Sequence, residues 1–100
     1  MIFITFWTLN PNLPPIKMAE VAAALMQKGL YPVKGVKQIG NYVLPGGRGV
    51  TINEHEDAAG ASKAAFEDYA MWLKEMPGFF SSFETVPALP IEEGISVVLK

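Results

Sequence analysis

The run Ile2-Phe3-Ile4-Thr5-Phe6-Trp7-Thr8 is β-branched and aromatic throughout. Side chains alternate along a strand, so Ile2, Ile4 and Phe6 line one face and Phe3, Thr5 and Trp7 the other. A strand with one wet face would alternate apolar with polar residues. This one is apolar on both, so it belongs in the middle of a sheet that is covered on both sides. The rest of the chain has to supply those two covers.

Asn10-Pro11-Asn12-Leu13-Pro14-Pro15 is a loop whose last prolines fit the first turn of a helix. That helix is expected over about residues 15–28, with Met18, Val21, Ala22 and Leu25 on one stripe and Gly29 as its C′ residue. Beyond Tyr31-Pro32, strands are expected over about 36–44 and 49–55, joined by the turn Pro45-Gly46-Gly47-Arg48. In the second of these, Val50 and Ile52 point one way and Thr51, Asn53 and His55 the other. We expect Val50 and Ile52 under the helices. Asp57 can cap a helix over about 58–75, which Pro77-Gly78 stops. Its broad apolar face contains Ala58, Ala65, Phe66, Tyr69, Trp72, Leu73 and Met76. A fourth strand containing Glu84 follows, over about 79–87. Ile95-Ser96-Val97-Val98-Leu99 reads as a short extra C-terminal strand, paired within the chain or with a partner.

The order β-α-β-β-α-β is the split βαβ, ferredoxin-like α+β arrangement: one domain over residues 1–100, with a four-stranded antiparallel sheet. Right-handed crossovers place both helices on one sheet face. The second face then needs another cover, and a second copy of the chain supplies it by symmetric pairing. Half of the residues are hydrophobic, a surplus for so short a chain that also points to a homo-oligomer. Two sheets facing each other make a dimeric α+β barrel.

A net charge of -2 with scattered lysines argues against nucleic acid as the main partner. With no cysteine, disulfides, thiolate catalysis and cysteine-ligated metals are excluded. No secretory signal and no apolar run of the ~20 residues that cross a bilayer is visible, so a cytoplasmic protein without a membrane partner is expected.

Several short stretches carry a resemblance: Met1-Ile2-Phe3-Ile4-Thr5-Phe6-Trp7-Thr8, Gly40-Asn41-Tyr42, Gly46-Gly47-Arg48-Gly49-Val50, Glu54-His55-Glu56-Asp57 and Phe83-Glu84-Thr85-Val86-Pro87. On these, nearly the whole chain resembles the dimeric α+β barrel superfamily. Within it, the chain is similar to a family of short prokaryotic proteins known only as a domain of unknown function. The resemblance implies the barrel fold. It leaves activity open, because the superfamily includes small monooxygenases, isomerases, haem-handling enzymes and amino-acid-sensing domains. The chain departs from the family's usual charged helical C-terminus in having a β-prone tail.

The candidate site is built by alternation. If Val50 and Ile52 pack under the helices, Thr5, Trp7, Asn53 and His55 line the other face, joined by Glu84 and by Tyr42 or Asn41. Apolar walls with a few convergent polar groups are the usual form of a ligand site. His55 could move a proton near neutral pH, as the catalytic group of a cofactor-independent oxygenase or isomerase. It could equally be a strand-end histidine without such a role. Glu54 and Glu56 alternate away from His55, so no metal site and no cofactor is expected. Gly46 to Gly49 match neither a P-loop nor a dinucleotide fingerprint, and Arg48 is left to meet a carboxylate of ligand or partner. The expected function is binding of a small, partly apolar molecule. The alternatives are the His55 enzyme and a structural dimer without ligand.

Overall fold

The opening strand takes the central place that its two apolar faces require. In the computed structural model, which describes residues 1–33 and 35–100, strand β1 (Ile2–Leu9) lies between β3 (Arg48–Glu54) and β4 (Phe80–Ala88). β2 (Lys37–Leu44) sits outside β3. All pairings are antiparallel and the sheet order is β2-β3-β1-β4. Helices α1 (Pro15–Gln27) and α2 (Ala58–Glu75) complete a ferredoxin-like α+β fold, and a third helix, α3 (Ile91–Leu99), ends the chain.

Local chemistry sets the element ends. Pro15 opens α1. Gly29, at φ 71°, closes it, with Leu30 N–H donating to Leu25 O at 3.0 Å and Gly29 N–H to Met26 O at 3.1 Å. Asp57 caps α2, its Oδ1 accepting from Gly60 N–H at 2.7 Å. In the β2–β3 turn, Gly46 and Gly47 take positive φ. Ile39 is an extra residue in β2, a bulge that shifts the register with β3 between Gln38 and Gly40.

Met18 and Leu25 of α1, Trp72 of α2 and Phe79 form the buried core, which Leu9, Val21, Tyr31 and Phe80 border. Phe79, Phe80, Phe83, Tyr69 and Trp72 meet in edge-on, tilted and stacked ring contacts between 4.6 and 6.3 Å.

Three expectations need correction. The first concerns the sheet faces. Phe3, Thr5 and Thr51 are buried beneath the helices, with Trp7 and Asn53 half-buried beside them, whereas Ile4, Phe6, Val50 and Ile52 lie on the opposite face. Both faces of β1 are apolar, so hydrophobicity alone could not choose between them. Aromatic bulk decides: Trp7 and Phe83 share the face on which Trp72 and Phe80 pack. The second concerns α2, where Phe66 is 76% exposed and Leu73 40%, so the packed face is narrower and centres on Ala61, Ala65 and Trp72. The third concerns the tail, which is helical and not a strand. Pro90 before Ile91-Glu92-Glu93 is a helix start with acidic residues in its first turn. That local signal outweighs the β-preference of Val97 and Val98. α3 makes no extensive contact with other elements, and Ile91, Ile95, Val97, Val98 and Leu99 are exposed. The radius of gyration, 14.8 Å, accordingly exceeds the ~13 Å of a compact 100-residue domain.

Candidate functional site

Gly49 seats one wall of the site, the Trp7 indole. It lies opposite Trp7 across the β1–β3 ladder. A Cβ at Gly49 would fall within the benzo ring of the Trp7 indole, so only glycine lets that ring lie flat across β3. Held there, Trp7 donates its Nε1–H to Thr51 Oγ1 at 3.1 Å. Thr51 O–H donates to Asn41 Oδ1 at 2.9 Å. Asn41 Nδ2–H donates to Tyr31 Oη at 2.9 Å, and Gln38 Nε2–H reaches the same oxygen at 3.3 Å. The chain of donors runs one way, from Trp7 to Tyr31. With two bonds accepted, the Tyr31 hydroxyl is left with its own proton to donate.

From the helix side, Trp72 donates its Nε1–H to Asp68 Oδ1 at 3.0 Å, one turn earlier in α2. Burial pushes the Asp68 carboxyl up to about 6, and the Trp72 bond lowers it only in part. Burial also raises the Tyr31 phenol, helped by the negative charge of Asp68, against the lowering effect of Gln38, Thr51 and Asn41. Tyr31 lies edge-on to Trp72, ring centres 5.4 Å apart.

These groups close one end of a cavity of about 350 Å³ between the sheet and α1 and α2. Its walls are Trp7, Met18, Ala22, Trp72, Phe79 and Phe83, and its polar end is Tyr31, Asn41, Thr51 and Asp68. A narrow chamber of about 20 Å³ adjoins it and shares Tyr31, Thr51 and Asp68, which is room for about one water. Thr5, Asn53, His55 and Thr85 line this chamber. Thr5 and Thr85 share a hydroxyl hydrogen bond at 2.8 Å, and Asn53 Oδ1 is buried without a partner among the described residues.

The residues expected from the sequence therefore divide. Thr5, Trp7, Asn53 and His55 do share a face, but it is the helix-covered one. Tyr42 pairs with Val50 and Glu84 with Phe6, which puts both on the opposite, open face. Arg48 folds back on its own turn, donating Nε–H to Pro45 O at 3.4 Å. His55 borders the narrow chamber and an open groove of about 400 Å³ with Glu56, Asp57 and Lys63, not the cavity between Trp7 and Trp72, and its ring lies edge-on to Phe3 at 5.6 Å. Its backbone is tied to residue 1: His55 N–H donates to Met1 O at 2.9 Å and the Met1 amino group to His55 O at 2.8 Å. Among the described residues no three His, Asp or Glu side chains converge as metal ligands, and no helix is long and apolar enough to cross a membrane.

Sequence reasoning missed Tyr31 and Asp68. Asp68 had a signal: it continues the stripe Ala61, Ala64, Ala65 on α2 at helical spacing, an acid on the buried face. Tyr31, in a connection between elements, had none.

No family model matches the chain, and no curated protein matches it. Among solved structures, an uncharacterized NIPSNAP domain protein from Burkholderia xenovorans is similar over 89% of this chain and 92% of its own, with a TM-score of 0.58 at 13% identity. A structural-genomics protein from Agrobacterium tumefaciens is similar over 90% of this chain and 93% of its own, with a TM-score of 0.53 at 16% identity. At such identities the likeness carries the ferredoxin-like fold and no activity.

Proposed function

We propose that this chain is a cytoplasmic protein that binds a small, largely apolar molecule in the cavity between Trp7 and Trp72. The observation that carries this is the cavity's composition. Aromatic and aliphatic side chains make up most of its lining, and Tyr31, Asn41, Thr51 and Asp68 supply its polar groups. A ligand gains from burying apolar surface there and is oriented by the polar end. Trp7, Tyr31, Asn41, Thr51 and Asp68 are the binding residues of this reading. Thr5, Asn53 and His55 form the chamber behind them.

A second copy completes the protein. The open face of the sheet carries Ile4, Phe6, Val50, Ile52, Tyr42 and Val86 on adjacent positions of the four strands, with Phe6 50% and Tyr42 58% exposed. A sheet face of this kind, largely apolar with Glu84 beside Phe6 as its charged exception, favours association, and symmetric pairing of two such faces yields the α+β barrel.

Nuclear magnetic resonance tests the ligand reading. Adding acetophenone, a small aromatic ketone, to ¹⁵N-labelled protein is expected to shift the indole N–H signals of both Trp7 and Trp72. Shifts confined to the open sheet face or to α3, with both indoles unmoved, would refute it. Native mass spectrometry of freshly purified protein reads subunit number and any retained ligand together.

A further inference from the structure

Given that the cavity takes an apolar ligand, the reading on which this step rests, the geometry points to a proton-transfer activity within it: Asp68 acts as base on the enolisable C–H of a small apolar ketone whose carbonyl oxygen accepts the Tyr31 hydroxyl. The two groups have complementary capacities. Tyr31 Oη already accepts from Asn41 and Gln38, so it meets a ligand as a donor. Asp68 takes one N–H, from Trp72, at Oδ1, which leaves further acceptor capacity on the carboxylate. Both side chains line the cavity and the chamber behind it.

The pairing suits one chemistry better than simple binding. A base beside a fixed hydroxyl donor fits a substrate whose acidic C–H and carbonyl oxygen are neighbours. The Asp68 carboxylate takes the α-proton, forming its O–H bond as the C–H bond breaks. The electron pair moves into a carbon–carbon double bond, and the carbonyl electrons move onto oxygen. The resulting enolate oxygen is held by the Tyr31 O–H, whose proton stays on the phenol. Asp68 then returns a proton to carbon, at the same position or at a conjugated one, so nothing is oxidised or reduced. Tyr31 and His55 are the other titratable groups on these walls, and among the described lining residues there is no lysine or arginine to pair with the carboxylate. The raised pKa of Asp68 makes it a stronger base than an exposed carboxylate while leaving it mostly ionised at neutral pH.

Deuterium exchange tests the step. Acetophenone is incubated in D2O with the full chain, and loss of its methyl proton signal is followed by nuclear magnetic resonance. Exchange is expected to be about a hundredfold faster than in protein-free buffer at the same pD. It should rise with pD through the titration of Asp68. Asp68→Asn, which keeps an acceptor for Trp72, should return the rate to that of buffer. Tyr31→Phe should slow it by about tenfold or more. If the indole signals shift but the methyl protons exchange at the buffer rate, the activity is refuted and binding stands. If the indole signals do not move, the cavity reading falls and the activity with it. Exchange in Asp68→Asn equal to that of the unaltered protein, or a flat pD profile, overturns Asp68 as the base.

Discussion

Replacing Gly49 by alanine is expected to destabilise the fold and to break the Trp7–Thr51 hydrogen bond. The new Cβ would overlap the Trp7 benzo ring. The ring has little freedom to yield, because its N–H is bonded to Thr51 at 3.1 Å and Phe80 lies edge-on to it at 6.1 Å. Overpacking a fitted site costs about 1–3 kcal/mol, and the lost hydrogen bond adds about 0.5–1.5 kcal/mol. Alanine's smaller loss of backbone freedom in a strand offsets about 0.5–1 kcal/mol. Sterics win, leaving a net loss of about 2 kcal/mol. For a domain of this size that lowers the melting temperature by about 8–16 °C. Circular dichroism against temperature measures the loss, and the Trp7 indole N–H resonance reports the broken bond. Gly40→Ala is the control: its Cβ would meet Tyr42 Cε2 at 2.8 Å, but Tyr42 is 58% exposed and can swing aside. A Gly49→Ala protein that melts with the unaltered one, its Trp7 resonance unmoved, would refute the packing account.

Phe6→Glu places a charge in the middle of the open sheet face and is expected to yield a monomer by sedimentation equilibrium with its circular dichroism spectrum unchanged; an unaltered mass would show that this face does not pair. Asp68→Asn should change how stability depends on pH. Because burial raises the folded pKa from 3.8 to about 6, the unaltered protein carries no ionisation penalty below the unfolded pKa. It acquires the penalty as pH rises through that interval and bears it in full above the folded pKa, by up to about 3 kcal/mol. The melting curves of the two proteins should therefore converge near pH 4 and separate by pH 7, with Asp68→Asn the more stable; a constant offset would contradict this. Asp57→Ala removes the α2 cap and should cost about 1 kcal/mol in urea denaturation, without affecting the Trp7 or Trp72 indole signals.

The fold was legible wherever one physical signal dominated. Apolar residues on both faces of β1 placed it centrally, Gly46-Gly47 marked the hairpin, and Asp57 and Gly29 marked helix ends. Face choice was not legible, because Val50 and Ile52 look like core residues yet lie on the face away from the helices. Half of the candidate site followed from alternation, since Thr5, Trp7, Asn53 and His55 do share a face. Tyr42, Glu84 and Arg48 were assigned to it by an inverted parity and by a charge with no visible partner. The polar end of the cavity depends on tertiary approach. Tyr31 reaches Gln38 and Asn41 from the segment preceding β2, and Asp68 arrives from α2, so no sequence spacing brings them together. The tail was misjudged because Val97 and Val98 favour strands, while Pro90 and the acidic pair behind it start a helix.

The Trp72–Asp68 bond also makes the protein its own optical indicator. An indole whose N–H is held by a carboxyl group senses that group's charge, so Trp72 emission changes colour as Asp68 gains or loses its proton. Trp7, bonded to the uncharged Thr51 hydroxyl, supplies a background that does not follow that proton. The ionisation of Asp68, and its disturbance by any molecule entering beside it, can then be followed in real time in the unlabelled protein.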